Sequence, residues 1–276
     1  MRIDAHQHFW KYNEDRDTWI TDEMEVIQRH FVPEDLRPIL PRVGIDGTVI
    51  VQSDQSKDEN IFQLANALQH DFVKGVVGWV DLMAKDVEDQ LAYYKEFKKM
   101  RGFRHVLQSE EQRDFMLQPD FMRGIGALKQ FDYTYDILIY PDQLKHSLEL
   151  VKKFPDQPFV LDHLGKPNIK DGQIDEWKKD IQNLAALENV YCKVSGMVTE
   201  AKWNEWKKND FTPYMDAIVE AFGTDRLMFG SDWPVCLVAA ASYEEVLEIV
   251  NSYFEAFSDS EKEMVFGKTA IKFYNL

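Results

Sequence analysis

Three histidines and one aspartate occur where strands are predicted to end, and their side-chain types suit proton transfer or metal binding. His6 and His8 lie two residues apart, so on one strand their side chains point the same way. His163 and Asp232 each follow a later apolar run. Imidazole and carboxylate groups act as acids, bases or ligands of a divalent ion. The four residues therefore predict a chemical site, provided that the fold brings the strand ends together.

Eight short apolar or β-branched runs predict the strands that would carry this site. They cover residues 3–10, 47–53, 76–82, 102–107, 135–140, 159–165, 190–196 and 227–235. Segments with helical periodicity separate them, and eight such units over about 250 residues match a closed (β/α)8 barrel. An open doubly wound sheet would require a glycine-rich phosphate turn after an early strand, and the first two strands have none. We therefore predict an α/β fold, a single TIM-barrel domain over residues 1–276.

Two stretches lie outside the regular alternation. Residues 11–46 form a long connection with apolar side chains and three prolines, which predicts a packed excursion after strand 1 that could serve as a lid. Residues 243–257 and 261–274 have helical periodicity, and we expect these C-terminal helices to close the barrel wall. Earlier in the chain, an apolar stripe from Ile61 to Leu68 predicts the buried face of one helix.

The composition argues against several classes of partner. The 276 residues include 32 Lys and Arg against 48 Asp and Glu, giving a formal net charge of −16. Such a surface repels phosphate backbones and anionic lipids, so we predict neither a nucleic-acid nor a membrane partner. No apolar run approaches the roughly 20 residues that cross a bilayer. Cys192 and Cys236 lie in or after strand-like runs and no secretory signal is apparent, which predicts reduced thiols and a cytoplasmic location.

The motifs around these residues resemble those of a known family. A His-x-His on strand 1, a histidine after strand 6 and an aspartate after strand 8 are similar to the amidohydrolase superfamily. Five segments resemble its branch of sugar lactonases acting on L-fuconolactone and L-rhamnonolactone: Asp4-Ala5-His6-Gln7-His8-Phe9-Trp10, Gly102-Phe103-Arg104-His105, Asp162-His163-Leu164-Gly165-Lys166-Pro167, Lys193-Val194-Ser195-Gly196 and Gly230-Ser231-Asp232-Trp233-Pro234. The resemblance covers essentially the whole chain and implies a hydrolase that opens a sugar-acid lactone to the aldonic acid.

The chain departs from the family pattern at the positions that would hold two metals. Many superfamily members use a strand 4 lysine and a strand 5 histidine there, and residues 102–107 and 135–140 contain no such pair. A two-metal centre is therefore not expected. One Zn²⁺ could still bind, with an open position, to His6, His8, His163 and Asp232. The resemblance implies that some members need no metal, and Arg104 would repel a cation, so we predict that a metal is dispensable.

Lactone hydrolysis requires a base for water, donors for the oxyanion and an acid for the departing ring oxygen. We predict that Asp232 is the base and then the acid, and that His6, His8 and His163 donate to the carbonyl or bind the ion. Arg104, with five fixed donors, is predicted to polarise the carbonyl or bind hydroxyls. The alternatives are a helix N-cap for Asp232 and a salt bridge for Arg104.

Six further residues near the strand ends are candidates for substrate binding. Two are tryptophans whose rings could pack on a sugar, and four are polar side chains that could bind hydroxyls: Trp10, Trp233, Gln52, Asp54, Gln108 and Lys193. The tryptophans could instead be core residues, and Gln52 and Asp54 could be turn residues. For Lys193 we favour neutralisation of buried aspartates over contact with substrate.

Two other functions remain compatible with these residues. One is a metal-dependent decarboxylase, or a different amide or ester hydrolase, on the same scaffold. The other is a non-catalytic protein that binds a sugar acid. A binder has no need of a base, so the carboxylate among three histidines favours an enzyme.

Overall fold

The computed structural model describes residues 1–276 and contains one sheet of eight parallel strands in chain order. The strands are β1 Ile3–Gln7, β2 Gly47–Val51, β3 Val73–Gly78, β4 Met100–His105, β5 Thr134–Ile137, β6 Phe159–Leu161, β7 Val190–Val194 and β8 Leu227–Phe229. The sheet closes because the His8 amide donates to the Trp233 carbonyl at 2.7 Å and the Asp232 amide donates to the His6 carbonyl at 2.8 Å. The predicted (β/α)8 barrel is confirmed.

Helices follow the strands and pack against the barrel. They are α1 Pro33–Leu36, α2 Leu40–Val43, α3 Lys57–Gln69, α4 Val87–Tyr94, α5 Pro119–Leu128, α6 Leu144–Lys153, α7 Asp175–Ala185, α8 Lys208–Phe222, α9 Tyr243–Phe254, α10 Asp259–Glu263 and α11 Thr269–Tyr274. Their apolar faces pack against the outward side chains of the strands in a core of 68 buried residues. This layer holds the strand ends, and hence the site, in fixed positions.

The apolar stripe predicted for α3 is correct at Leu64, which is buried, and wrong at its two ends, because polar side chains take much of the buried face. Ile61 is 60% exposed and Leu68 is 83% exposed, whereas Asn60 and Gln63 are fully buried. The Asn60 amide donates to the Trp79 carbonyl, and Gln63 donates to the Phe9 carbonyl. These bonds satisfy backbone groups beyond the ends of β3 and β1, which compensates for burying amides.

The inside of the barrel has an apolar lower part and a charged upper part. Near the N-terminal ends of the strands, Ile3, Val49 and Val160 form a small cluster with Phe273 and Tyr274 of α11. Helix α11 therefore covers the N-terminal end of the barrel, which corrects the prediction that residues 261–274 close its wall. A helix this apolar is buried more completely against an open barrel end than along an exposed side.

The connection after β1 is packed against the barrel, as predicted. Its residues Ile27, Phe31 and Leu36 are fully buried. Phe31 pairs with Trp10 through two backbone hydrogen bonds of 2.9 Å, which fixes the connection beside the C-terminal end of β1. Its service as a lid stays a prediction.

No helix of the structure combines the length and apolar character that crossing a bilayer requires. Cys192 and Cys236 are both free and buried. The single-domain organisation and the cytoplasmic location stay predictions.

Candidate active site

The C-terminal ends of β1, β6 and β8 bring the four predicted residues together. The Nε2 atoms of His6 and His8 lie 3.1 Å apart. Asp232 Oδ1 lies 3.2 Å from His8 Nε2, 3.7 Å from His6 Nε2 and 4.0 Å from His163 Nε2. All four side chains are buried. One carboxylate oxygen therefore faces three imidazole rings, and the side chain of Asp232 does not cap the turn that follows it.

The outer nitrogens of the rings have partners that orient them. His8 Nδ1 lies 2.7 Å from the Val51 carbonyl, which can only accept, so this nitrogen carries the proton. His163 Nδ1 lies 2.9 Å from the Ser195 hydroxyl. Both rings consequently present Nε2 to Asp232. Such bonds fix the orientation of an imidazole ring.

A left-handed turn positions His163. The φ angles of His163, Leu164, Gly165 and Lys166 are +55°, +56°, +69° and +52°. Left-handed backbone costs about 1–2 kcal/mol for each residue other than glycine, so surrounding contacts must hold it. The Lys166 amide donates to the His163 carbonyl at 2.7 Å, and the Trp177 indole donates to the Leu164 carbonyl at 2.8 Å.

Asp4 ties the two chain segments that carry His6 and Asp232, on the outer side of the barrel. Its Oδ1 accepts from the amides of His6 at 3.1 Å and Ser231 at 2.9 Å. Its Oδ2 accepts from the hydroxyls of Ser231 and Tyr243. Burial raises the pKa of Asp4 to about 6, although these hydrogen bonds act to lower it. This buried carboxylate fixes the backbone spacing of the two segments.

Burial and neighbouring charges set the protonation states of the site. Burial lowers the pKa of His163 to about 4, and burial together with Lys193 holds the pKa of His6 well below its ordinary value. For Asp232, burial opposes ionisation, but the surrounding imidazoles hold its pKa below the usual range. At neutral pH the site therefore contains an ionised carboxylate beside neutral His6 and His163. The ionised carboxylate is the form of Asp232 that can accept a proton.

The donor atoms fit one divalent ion. His6 Nε2, His8 Nε2 and Asp232 Oδ1 are separated by 3.1 to 3.7 Å. Tetrahedral Zn²⁺ with bonds near 2.0–2.1 Å requires ligand separations of about 3.3 Å. His163 Nε2, 4.0 Å from Asp232 Oδ1, lies just outside this group. Arg104 Nη1, 3.3 Å from His6 Nε2, is neutralised by Asp162 at 3.0 Å.

A cavity of about 280 Å³ opens above these groups. Six of the predicted site residues line it: His8, Asp54, Arg104, Gln108, His163 and Asp232. Residues that the sequence did not single out complete its walls, among them Trp19, Ser53, Gln55, Ser109, Leu138 and Lys166. The lining is mainly polar with a few apolar side chains, which suits a small polyhydroxylated ligand.

A family model described as Amidohydrolase matches residues 3–276. The chain belongs to the amidohydrolase family. An L-fucono-1,5-lactonase of Burkholderia multivorans is 38% identical, with 100% of this chain and 96% of that protein aligned. An L-fucono-1,5-lactonase of Burkholderia ambifaria is 35% identical over the same shares. A crystal structure of an amidohydrolase from B. multivorans with bound Zn superposes with a TM-score of 0.96, at 39% identity, covering 100% of this chain and 99% of that one.

These similarities confirm the predicted family, the barrel and the prediction of a hydrolase. They concern the whole chain and not the role of any one side chain.

The two tryptophans predicted to contact substrate lie away from the cavity of this amidohydrolase. Trp10 is 1% exposed and packs edge-on against Phe31 and Trp19, at 5.4 and 5.8 Å between ring centroids. Trp233 is 2% exposed and packs against Phe9 and Phe31. Burial of their large apolar rings in the core explains the correction. Trp19, 40% exposed, is the tryptophan that lines the cavity.

Gln52 and Lys193 are also corrected as substrate contacts, because both are fully buried beneath the cavity. The Gln52 side-chain amide donates to the Arg104 backbone carbonyl, and the Gln52 backbone carbonyl accepts from Arg104 Nη2. Lys193 Nζ lies 2.5 Å from Asp136 and 3.0 Å from Asp162. Lys193 thus neutralises buried aspartates, as favoured from the sequence.

Among the site residues that sequence reasoning missed, Asp162, Lys166 and Trp19 show which signals were available. Asp162 and Lys166 flank His163 within a recognised motif, so the motif itself was a usable signal. Trp19 lies in the long connection after β1, where no periodic pattern indicates which ring faces the cavity. Only the packing of Trp19 on Trp10 reveals its place.

Proposed function

We propose that this amidohydrolase opens a sugar-acid lactone to the aldonic acid, with L-fucono-1,5-lactone as the first substrate to test. The observation that carries the proposal is the ionised carboxylate of Asp232, which faces three imidazole rings at the floor of the cavity. The names of two relatives aligned along the whole chain support the substrate class. L-Rhamnonolactone remains the related substrate implied by the motifs.

Asp232 is the proposed general base. Its Oδ1 accepts a proton from a water molecule, and the water oxygen attacks the lactone carbonyl carbon. The carbonyl π electrons move to oxygen and form a tetrahedral oxyanion. On collapse, the bond from the carbonyl carbon to the ring oxygen breaks, and protonated Asp232 returns its proton to that oxygen. The products are one carboxylic acid and one hydroxyl on an opened chain.

Arg104 and His163 are the proposed donors to the oxyanion. Arg104 is always charged and lies at the cavity floor, held by Asp162. If the Ser195 hydroxyl donates to His163 Nδ1, the ring proton stays on Nε2, where it faces the cavity. Preorganised donors of this kind stabilise the charge that develops during acyl transfer.

His6 and His8 lie beside Asp232 and complete the set that could bind an ion. A Zn²⁺ ion on His6, His8 and Asp232 would supply a Lewis acid and lower the pKa of bound water. The steps assigned to Asp232, Arg104 and His163 use only groups of the chain. We therefore propose that a metal is dispensable for turnover.

Substrate hydroxyls are proposed to bind the polar walls. Asp54 and Gln108 line one part of the cavity and Lys166 another, while the exposed ring of Trp19 offers a flat apolar surface. Carboxylate, amide and ammonium groups together can accept from and donate to a sugar. The ring size and the stereochemistry of the accepted lactone would follow from these contacts.

The test is acid release at neutral pH from a panel of L- and D-sugar lactones of both ring sizes, corrected for spontaneous opening. We expect hydrolysis of L-fucono-1,5-lactone and loss of about 10²–10⁴-fold in kcat in Asp232→Asn, because an amide cannot accept the proton. Asp71→Asn, an exposed carboxylate outside the site, is the matched control.

Three results would change the proposal. Retention of kcat in a folded Asp232→Asn protein would remove Asp232 as the base. Tight lactone binding without acid release would indicate the non-catalytic binder. Turnover of an aromatic carboxylic acid to carbon dioxide, abolished by chelation, would indicate the metal-dependent decarboxylase.

A further inference from the structure

Lys166 is a cation of the cavity wall, and Glu200 lies behind it as its counter-ion. The Lys166 ammonium lies 3.5 Å from Glu200 Oε1, and the two side chains are only 16% and 19% exposed. Lys166 lines the cavity, whereas Glu200 does not. Lys166 opposes the rise that burial gives to the pKa of Glu200, which therefore remains ionised at neutral pH. The wall thus presents an ammonium whose charge is already balanced.

Both members of this ion pair lie on turns that further contacts hold in place. The left-handed turn after β6 carries Lys166, whose ammonium also lies over the ring of Tyr140, 5.5 Å from its centroid. Such a contact attracts a cation to the face of the ring. Glu200 ends a short turn after β7, in which the Thr199 hydroxyl donates to the Gly196 carbonyl at 2.8 Å. These contacts favour the position in which the ammonium is paired with Glu200.

The remaining charged groups of the cavity leave carboxylates in excess. Arg104, the other cation of the lining, is paired with Asp162 at 3.0 Å. Asp54 and Asp232 both line the cavity, and the ion-pair partners of Asp232 are histidines. Each cation of the lining therefore has a carboxylate partner. An anionic group of a substrate would meet these carboxylates where little water screens the repulsion between like charges.

We propose that Glu200 is a specificity-determining residue, which neutralises Lys166 and thereby restricts the cavity to lactones without a charged group. A hydroxyl of the substrate still accepts a hydrogen bond from Lys166, because an ammonium has three donors and the ion pair does not use them all. A carboxylate of the substrate gains little from a cation that Glu200 already balances, and Glu200 repels it. The inference rests on the proposed lactonase function and adds the charge of the substrate to it.

The experiment replaces Glu200 with glutamine in the full-length protein and compares two lactones. L-Galactono-1,4-lactone and L-galactaro-1,4-lactone share one ring and differ in a terminal group, which is hydroxymethyl in the first and carboxylate in the second. In Glu200→Gln we expect kcat/KM for the galactarolactone to rise at least about tenfold, because the unpaired ammonium then attracts the carboxylate. The value for the galactonolactone should change little. Roughly 0.15 M salt screens charges beyond about 8 Å, so the local pair determines the result.

Glu205→Gln is the matched control, because it removes the same charge from an exposed position on the same loop. We expect its preference between the two lactones to match that of the wild type. An equal gain in both glutamine variants would show that net charge sets the preference, which would overturn the proposal. The double variant Lys166→Met/Glu200→Gln has no ammonium to attract the carboxylate, so it should lose the gain of Glu200→Gln.

Lys166→Met decides the case if circular dichroism shows that Glu200→Gln does not fold. It leaves Glu200 without its cation, so the affinity for the galactarolactone should fall more than that for the galactonolactone. Equal falls would overturn the proposal, as would an unchanged preference in folded Glu200→Gln. If the wild type hydrolyses no lactone, the proposed function fails. The two lactones then stay intact, and their Kd values from isothermal titration calorimetry test the inference with the same expected preferences.

Discussion

Lys166 follows His163 by three residues through a left-handed turn, and both side chains line the same cavity. The Lys166 ammonium lies 3.5 Å from Glu200, and burial raises the pKa of that carboxyl against the effect of Lys166. Because the turn is held by the Lys166 amide and by Trp177, the cation and the imidazole are fixed relative to each other. We propose that the Lys166 ammonium binds a polar group of the substrate on the cavity wall that it shares with His163.

Removal of the Lys166 charge is expected to weaken substrate binding. In Lys166→Met the aliphatic length is kept and the donor is lost, so KM for the lactone should rise about tenfold while kcat changes little. Steady-state kinetics of acid release measure both constants. Lys170→Met, an exposed lysine four residues later, is the control. An unchanged KM in Lys166→Met would show that this ammonium does not contact substrate.

Gly196 is expected to be essential for the placement of His163. A Cβ atom at Gly196 would lie 2.5 Å from His163 Nδ1, and its φ of +62° is itself unfavourable for alanine. Gly196→Ala should therefore lose about 2–4 kcal/mol of unfolding free energy and most of its activity. Urea denaturation and kinetics measure the two effects.

Gly172→Ala separates backbone strain from the clash with His163. Gly172 has a φ of +66° and no atom within 4 Å of an added Cβ. We expect it to lose only about 1 kcal/mol of unfolding free energy and to keep its activity. Equal losses in both alanine variants would mean that the His163 contact contributes nothing.

The low pKa of His163 predicts a stability change in mild acid. Between the ordinary value of 6.5 and the folded value of about 4, the unfolded chain binds a proton that the folded chain does not. Stability is therefore lost as the pH falls through this window, by about 2 kcal/mol between pH 7 and pH 5. His163→Asn lacks this titrating imidazole, so urea denaturation should show that the unfolding free energy of the variant depends less steeply on pH. If the unfolding free energy of the two proteins changed with pH in the same way, the lowered pKa of His163 would be contradicted.

Zinc binding is expected to depend on His8. The purified protein should bind one equivalent of Zn²⁺, and His8→Asn should weaken that binding at least about 100-fold because one of three close donors is lost. Isothermal titration calorimetry with ZnCl₂ measures the affinity. His30→Asn, an exposed histidine, should bind like the wild type.

Chelation tests whether the ion takes part in turnover. Dialysis against EDTA should remove the metal and leave most of the lactonase activity, because Asp232 is ionised without an ion. Metal analysis and kinetics on the same sample are compared. Loss of activity on chelation, restored by added Zn²⁺, would show that the ion is required.

The sequence predicts the strands and the convergence of His6, His8, His163 and Asp232. Hydrophobic periodicity and short motifs depend only on residues that are neighbours in the chain, so the sequence shows them directly. All eight runs overlap a strand, although β3, β4 and β5 start three, two and one residues earlier than predicted. Since the C-terminal ends of barrel strands meet at one face, the strand assignment alone brings these side chains together.

The partners of buried polar groups could not be predicted in the same way. Strand alternation places Asp136 and Lys193 inside the barrel but does not say that Tyr274 reaches them from below. On α3, hydrophobicity favoured Ile61, whereas hydrogen bonds of Asn60 to Trp79 decide the buried face. Such contacts join residues far apart in the chain, where no local pattern reports them.

Trp19 belongs to the connection after β1, outside the barrel strands. Its exposed ring packs edge-on against Trp10 and lines the cavity. The groups proposed to cleave the ester all lie at the ends of strands. The residues of the connection can therefore change in evolution independently of these catalytic groups. Mutation within residues 11–31 could recruit new sugars during evolution without disturbing hydrolysis. A library randomised in that connection is consequently a practical starting point for engineering the selectivity of the enzyme.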